Sequence, residues 1–361
     1  MQLSPGGIMA RSKYYSLDRI NKILAQYKLL IGQRSNGKSF AVKYACLERA
    51  YKNKTKFVYL RRYDKNIKTN AVTAYFADMP IDKITKGEFT HVICDRGCLY
   101  FANYDLDQLK YIKGPEIGRA VALNVAEGYK SQAFVNYDRI IFEEFLTNKS
   151  YLEDEPVELM NIVSTIFRDN DGVVYLIGNT ISRVCPYFSE WELKGTLNMK
   201  PGEIQTYAFH RTDVDGKDIE TLIAVEMCES LGSPSRMIFG RSANAIASGH
   251  WEVYDKPKLP GKLEEFVVNY EIMIERQDFK FVMKLLTDPS NGGSFLYVYP
   301  YSGTRKIIRV LSDRFSTDPY TTYTLLNDDE CECLIKQLLA QRKVCYSDNI
   351  TGSDFEMLIG K

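Results

Sequence analysis

Nowhere does the chain run roughly 18 consecutive apolar residues, the length a membrane-crossing helix needs, so no membrane partner is expected. The stretch from Met1 to Tyr15 has neither a long apolar core nor a cleavage pattern, so a secretory leader is not expected either. Charge of one sign is not in excess: 47 Lys and Arg face 46 Asp and Glu. A polybasic coat for nucleic acid is thereby excluded, and any such contact has to rest on a few positioned cations. Histidine is scarce, with three in the chain. The eight cysteines are scattered without paired CxxC motifs, so a structural zinc site is not expected. Internal repeats and low-complexity segments are absent.

What is present is an ordinary globular composition, 45% hydrophobic and 26% charged. Its 361 residues are enough for about two domains. From Tyr27 to Asn179, short apolar runs alternate with stretches of helical period. The strands expected are Lys28–Ile31, Lys56–Leu60, Ala120–Val125, Arg139–Phe142 and Val173–Ile177. The helices expected are Ser39–Tyr51 and Pro156–Phe167. A hairpin is expected from His91–Ile93 and Cys98–Phe101, turning at Asp95-Arg96-Gly97. Runs that are apolar on both sides belong in a parallel sheet, so the fold class read here is α/β.

After Pro186 the pattern changes. Turn formers such as Gly232-Ser233-Pro234-Ser235 mark a connecting segment, and from Phe266 strands follow in series before a helix, Asp328–Gln341, that closes the chain. The division expected is a first domain over 1–190, a linker or lid over 191–255, and an α+β domain over 256–361.

Gly32-Gln33-Arg34-Ser35-Asn36-Gly37-Lys38-Ser39 satisfies G-x-x-x-x-G-K-[ST] at every position. An apolar strand precedes it and a helix follows, as a phosphate-cradling loop requires. Its backbone N–H groups and the helix N-terminus attract phosphate oxygens. Lys38 is placed for the β- and γ-phosphates of ATP, and Ser39 for Mg²⁺. Arg139-Ile140-Ile141-Phe142-Glu143-Glu144 is an apolar strand ending in two acids. Alone it reads equally as a solvated strand end. Beside a phosphate loop it reads as a Walker B strand, with Glu143 on Mg²⁺ and Glu144 as general base; Asp is the commoner residue at the first position.

Asn179 follows the next strand. It is either a turn residue or a sensor that orients water at the γ-phosphate. Arg168 ends the helix Pro156–Phe167, where a cation favours the helix dipole. The other reading is an arginine finger for a neighbouring subunit. Arg34, Arg61 and Arg62 are candidates to contact phosphates or acids. Tyr14 and Tyr15 either stack on adenine or pack.

The segments GQRSNGKS, FVYLRRYDK, YKSQAF, IIFEEF, STIFRDN, GNTISRVCPYF and IFGRSANAIASGHWEVYD occur here in order. In this they resemble the encapsidation proteins, or DNA-packaging ATPases, of the Picovirinae, small podoviruses with protein-primed linear genomes. The resemblance implies a P-loop ATPase of ASCE type and a homopentameric ring on the portal, or connector, of the procapsid. Mg²⁺ and ATP then drive double-stranded DNA inward, in the host cytoplasm, with the motor absent from the mature virion. A structural packaging RNA is a further partner it allows. It places trans-acting roles on Arg168 and Lys130, and leaves open which of Arg61, Arg62 and Lys65 act at the subunit boundary.

It also implies an RNase H-like C-terminal domain. A nuclease of that type needs several carboxylates, the first midway along the first strand. With Phe279–Leu286 read as that strand, no acid lies in its middle and two lysines do. Asp313, Asp318, Asp328, Asp329 and Glu330 suit turns and caps. The domain is therefore expected to be vestigial, without nuclease activity. Two other readings stand: a nucleotide-gated module that assembles on the portal without doing work, and a complete terminase with an active nuclease.

Overall fold

The structure is a computed structural model that describes residues 14–168, 170–212, 215–229, 251, 255–303 and 306–359. The Gly232–Ser235 turn, the N-terminal stretch before Tyr14 and nearly all of IFGRSANAIASGHWEVYD lie outside the described residues. The chain divides into two compact units, residues 1–181 with 192–251, and residues 182–191 with 252–361.

The first unit is built on a nine-stranded sheet of order β3-β4-β5-β2-β6-β7-β1-β9-β8. Its strands are β1 (Tyr27–Gly32), β2 (Lys56–Arg61), β3 (His91–Asp95), β4 (Cys98–Asp105), β5 (Lys110–Ala122), β6 (Tyr137–Glu143), β7 (Val173–Asn179), β8 (Ile204–Thr212) and β9 (Asp218–Met227). From β5 to β9 every neighbouring pair is parallel. The central strands Leu29–Ile31, Phe57–Leu60 and Ile140–Phe142 are buried, which is why they read as unbroken apolar runs. Helices α1 (Lys38–Asn53), α2 (Thr69–Tyr75), α3 (Ile81–Ile84) and α4 (Glu155–Phe167) connect the strands of this unit. Val42, Cys46, Leu47 and Ala50 form the buried stripe of α1, at the spacing of one helical face.

Several expectations need correction. The strand foreseen at Ala120–Val125 begins ten residues earlier, at Lys110, and ends at Ala122, where a 3-10 segment (Leu123–Tyr129) takes over. Its first half pairs with β4 as an antiparallel ribbon with exposed faces, so it carried no buried apolar pattern to read. The segment 191–255 is not simply a linker: β9 lies parallel to β1 and β8 completes the sheet edge. Nor does the boundary fall at 190, since Ser182–Trp191 groups with the second unit. The hairpin foreseen at Asp95-Arg96-Gly97 is present, with Arg96 and Gly97 both left-handed, at φ 49° and 81°.

The second unit carries a six-stranded mixed sheet of order β14-β13-β10-β11-β12-β15. Its members are β10 (Val267–Arg276), β11 (Phe279–Thr287), β12 (Ser294–Pro300), β13 (Val310–Ser312), β14 (Thr321–Thr322) and β15 (Val344–Tyr346). A short helix, α5 (Pro186–Glu190), belongs to this unit, with α6 (Glu330–Ala340) and α7 (Asn349–Leu358) later in the chain. Ile335, Leu338 and Phe355 join Ile272, Phe281, Met283 and Leu296 in its core. Asp329 caps α6, its side chain accepting from the Cys331 and Glu332 amides, as a helix start requires. The foreseen helix does not close the chain, because β15 and α7 follow it. The first strand of this sheet is β10, and it carries Glu271 and Glu275; the acid-free run Phe279–Leu286, expected to be the first, lies in the second, β11.

Candidate nucleotide site

Sheet order builds the site. In the sequence β6-β7-β1, the acid strand and the strand feeding the phosphate loop flank β7. All three run parallel, so Glu143, Asn179 and Gly32 reach the same edge. Gly32 is registered with Asn179, and Glu143 with Ile177.

The loop between β1 and α1 is shaped by its glycines. Gly37 adopts φ +95°, which L side chains avoid, and a Cβ there would stand 3.2 Å from that of Tyr14. At Gly32 a Cβ would meet the Cys228 carbonyl oxygen at 2.9 Å, so only glycine lets β9 pass this close. Ser35 is also left-handed, at φ 60°.

Lys38 is buried inside the loop. Its Nζ donates to the Gln33 carbonyl at 2.7 Å, the Gly32 carbonyl at 3.1 Å, Asn36 Oδ1 at 3.1 Å and Asn179 Oδ1 at 3.4 Å. Burial disfavours the ammonium and draws its pKa down to about 8, while Cys228 and Glu143 oppose that shift. The Nδ2 of Asn36 is buried without a hydrogen-bond partner, a donor left for an oxygen at the loop's inner surface.

Ser39 Oγ donates to Glu143 Oε1 at 2.5 Å, across 104 residues of chain. The other oxygen of Glu143 accepts from Tyr75 Oη at 2.8 Å. Burial raises the pKa of Glu143, and these two donors and Arg61 oppose the rise. Glu144, the next residue, is left-handed at φ 60° and exposed, so its carboxylate leaves the strand plane. Such a backbone costs on the order of 1–3 kcal/mol and is retained where surroundings over-determine it. Those surroundings are Arg61, whose Nη2 donates to Glu144 Oε2 at 2.6 Å, and Arg62.

Arg62 is buried. It makes a two-point ion pair with Glu155, Nε to Oε2 at 2.6 Å and Nη2 to Oε1 at 2.9 Å. It also donates to the carbonyls of Glu144 at 3.1 Å and Phe145 at 2.7 Å. It therefore pins the acidic turn to the start of α4 and is not exposed for a neighbour. Lys65 lies over the Tyr63 ring, 5.1 Å from its centre.

A cleft of about 350 Å³ is lined by loop residues 34–40, Glu143, Glu144 and Ile177–Asn179. It thus gathers Arg34, Ser35, Asn36, Gly37, Lys38, Ser39, Glu143, Glu144 and Asn179, while Gln33 sits below with its carbonyl on Lys38. Arg168 and Lys130 do not line it. Arg168 is exposed at the end of α4, left-handed at φ 49°, with Nη2 donating to the Gln132 carbonyl at 3.3 Å. Lys130 is exposed two residues before Gln132 and pairs with Glu127. Gln132 Oε1 in turn accepts from Arg119 at 2.5 Å. These cations share a surface patch away from the cleft of their own chain.

Tyr75 went unread in the sequence because α2 carries no motif. Tyr15 was read only as an aromatic. Its amide donates to the Asn36 carbonyl at 2.9 Å and its hydroxyl to Glu226 Oε2 at 2.7 Å, tying the start of the described chain to the loop and to β9.

A family model described as Podovirus DNA encapsidation protein (Gp16) matches residues 9–205. The DNA packaging proteins of Bacillus phage PZA and Bacillus phage phi29 are each 29% identical over 197 residues, 53% of this chain and 54% of theirs. The match thus spans about half the length of these curated relatives. Among solved structures, the bacteriophage Phi-29 viral genome packaging motor assembly aligns with a TM-score of 0.56 at 20% identity, over 96% of this chain and 99% of that one. This last likeness is one of fold. With its phosphate loop, acid strand and the chain from residue 9 to 205 all inside the family match, the protein belongs to the podovirus DNA encapsidation protein (Gp16) family.

Proposed function

We propose that the chain is the ATP-hydrolysing motor subunit that drives double-stranded DNA through the portal into the procapsid. The carrying observation is the 2.5 Å contact between Ser39 and Glu143, which joins the phosphate loop and the acid strand in one site. A hydroxyl and a carboxylate in contact suit a hard divalent cation with oxygen ligands. Mg²⁺ held there supplies charge neutralisation at the phosphates. Lys38 exchanges its loop carbonyls for phosphate oxygens, and the unpaired Asn36 amide group offers a further donor. Asn179, already on Lys38, orients the attacking water. Glu144 takes that water's proton once it exchanges Arg61 for water.

Arg168 and Lys130 act on a neighbouring subunit. Their exposure on one patch, outside their own cleft, supports this. A residue supplied in trans makes hydrolysis depend on the neighbour's position, which a closed ring requires; a homopentamer on the portal is the assembly proposed. A structural packaging RNA is a further partner. The work takes place in the host cytoplasm, on the procapsid, and the motor is absent from the mature virion.

The second unit is proposed to lack nuclease activity. Glu271 and Glu275 do lie on the first strand, but Glu271 is paired with Lys284 at 3.3 Å and Glu275 with Lys280 at 2.9 Å. Each of these acids thus already holds a cation, which argues against a metal ion there. Plasmid DNA incubated with Mn²⁺ and the full chain is expected to stay intact.

The decisive experiment is the ATPase rate, stimulated by DNA and proheads. Glu144→Gln is expected to bind ATP and fail to hydrolyse it. Arg168→Ala and Lys38→Ala subunits are each expected to be inactive alone and partly active when mixed. Normal hydrolysis by Glu144→Gln refutes the base assignment, and mixtures without activity refute the trans arginine.

A further inference from the structure

At the opposite end of the same strands lies a second cleft, of about 490 Å³, that the nucleotide site does not use. Lys28 is the second residue of β1, four residues before Gly32, so about 13 Å of strand separates the cleft from the phosphate loop. Lys28 is registered with Tyr175 on β7, and Tyr175 with Ile141 on β6. Arg139 is two residues before Ile141, so the three side chains share one face of three adjacent strands.

The charges in this cleft do not balance in the usual way. Lys28 is 4% exposed, yet the acceptor it reaches is neutral, Asn21 Oδ1 at 3.1 Å. That oxygen is shared with the Tyr175 hydroxyl, which donates at 2.9 Å. Among the described residues no carboxylate lies within ion-pair distance of Lys28. Its nearest charged influence is another cation, Arg139, and burial together with that neighbour lowers its pKa to about 8. Arg139 leans on Asp138, at 3.6 Å, but Asp138 is already held by Arg49 at 2.5 Å. Asp171 lines the cleft from its exposed side. Buried charges are ordinarily paired, because an isolated one loses its hydration without return. Arg139 also donates to the Asp138 carbonyl at 2.6 Å, so the buried ammonium is the cation that, among the described residues, has no carboxylate of its own.

We propose that this cleft binds a small free oxyanion of the phosphate class between Lys28 and Arg139. Its volume suits a phosphate or pyrophosphate. A nucleic-acid duplex could not enter it. The Asn21 amide group also lines the cleft, its oxygen held by Lys28 and the Tyr175 hydroxyl. Bound there, the anion relieves the repulsion between the two cations at the start of β1, the strand whose far end shapes the phosphate loop.

The test is calorimetric titration of the full chain with inorganic phosphate and with pyrophosphate. It is done in the Lys38→Ala background, so that the phosphate loop contributes no heat. Saturable binding is expected. Lys28→Met and Arg139→Gln, added to that background, are each expected to weaken it about tenfold or more, the loss of one charge-assisted contact. Asp171→Asn is expected to tighten it, by removing a like charge from the rim. Thermal melts give an independent readout: pyrophosphate raises the melting temperature of the Lys38→Ala chain and not that of its Lys28→Met derivative. Should Lys28→Met fail to fold, Arg139→Gln and Asp171→Asn decide the question with opposite signs. A flat titration, binding indifferent to these three substitutions, or an effect of the substitutions on DNA affinity without any on phosphate, overturns the proposal.

Discussion

Replacing Glu155 by Gln removes one charge from the buried pair with Arg62 and little volume. Arg62 then keeps its carbonyl acceptors at Glu144 and Phe145 but loses the carboxylate that neutralised it. Both partners are almost fully enclosed, 8% and 0% exposed at the side chain, so water cannot take the lost partner's place. Breaking a buried pair by one partner costs about 3–5 kcal/mol. Glu155 also accepts from the Leu152 amide at 2.9 Å, and Gln can preserve this contact, which favours the lower end. At a denaturation slope of about 3 kcal/mol per molar urea, a loss of about 3 kcal/mol lowers the midpoint by about 1 M. The chain has two tryptophans, and Trp251 belongs to the first unit while Trp191 belongs to the second. A Trp191→Phe background therefore lets fluorescence follow the first unit alone. Arg62→Met with Glu155→Gln is expected to cost less than the sum of the two, by about 2 kcal/mol, since the double variant leaves no stranded guanidinium. A midpoint for Glu155→Gln within about 0.2 M of the parent, or strict additivity in the cycle, refutes the claim that this pair fixes the acidic turn.

Tyr75→Phe removes one of the two hydroxyls that hold the Glu143 carboxylate. Loss of a donor to the charged form raises the carboxyl pKa further, so the acid limb of the ATPase pH–rate profile is expected to move to higher pH. The Mg²⁺ concentration for half-maximal rate is expected to rise about tenfold, as one hydrogen bond to a charged group would give. Gly37→Ala forces a side chain into φ +95° and against Tyr14, and is expected to abolish detectable binding of a fluorescent ATP analogue while the melt stays cooperative. Lys28 has its pKa lowered from 10.5 to about 8 on folding, so between those values the unfolded chain binds more protons and protonation of Lys28 opposes folding below them. Lys28→Met is therefore expected to be the more stable protein at pH 7 without added anion, and its advantage is expected to shrink as pH rises from 8 to 10.5; an advantage independent of pH removes the argument that the ammonium is unpaired.

The phosphate loop was legible in the sequence because it is local. Eight consecutive residues fix which backbone can turn back on itself and which side chains the loop carries, and the apolar run before it announces the strand. The acid strand was legible for the same reason. The antiparallel ribbon of β5, the strands β8 and β9 inside a segment taken for a linker, and the small elements β15 and α7 were not: β8 and the first half of β5 are largely exposed, β15 is three residues long, and the buried run of β9 is confined to its second half. The identity of the first strand in the second unit was missed for another reason. The run Phe266–Ile274 reads as a strand, but its rank depends on which run pairs with which, and only the sheet order states that.

By itself, then, the order of residues determined the α/β class, the glycine-bearing loop after β1 and the acids that face it, since these follow from backbone preference and side-chain period over a few residues. Tertiary structure alone decided that Tyr75 steadies Glu143, that Arg61 holds Glu144 while Arg62 is consumed by Glu155, and that buried Lys28 stands beside Arg139 with a neutral acceptor, Asn21. Those contacts join residues tens of positions apart. They exist because strand order and register bring distant side chains to one edge, and no short window of sequence carries that information.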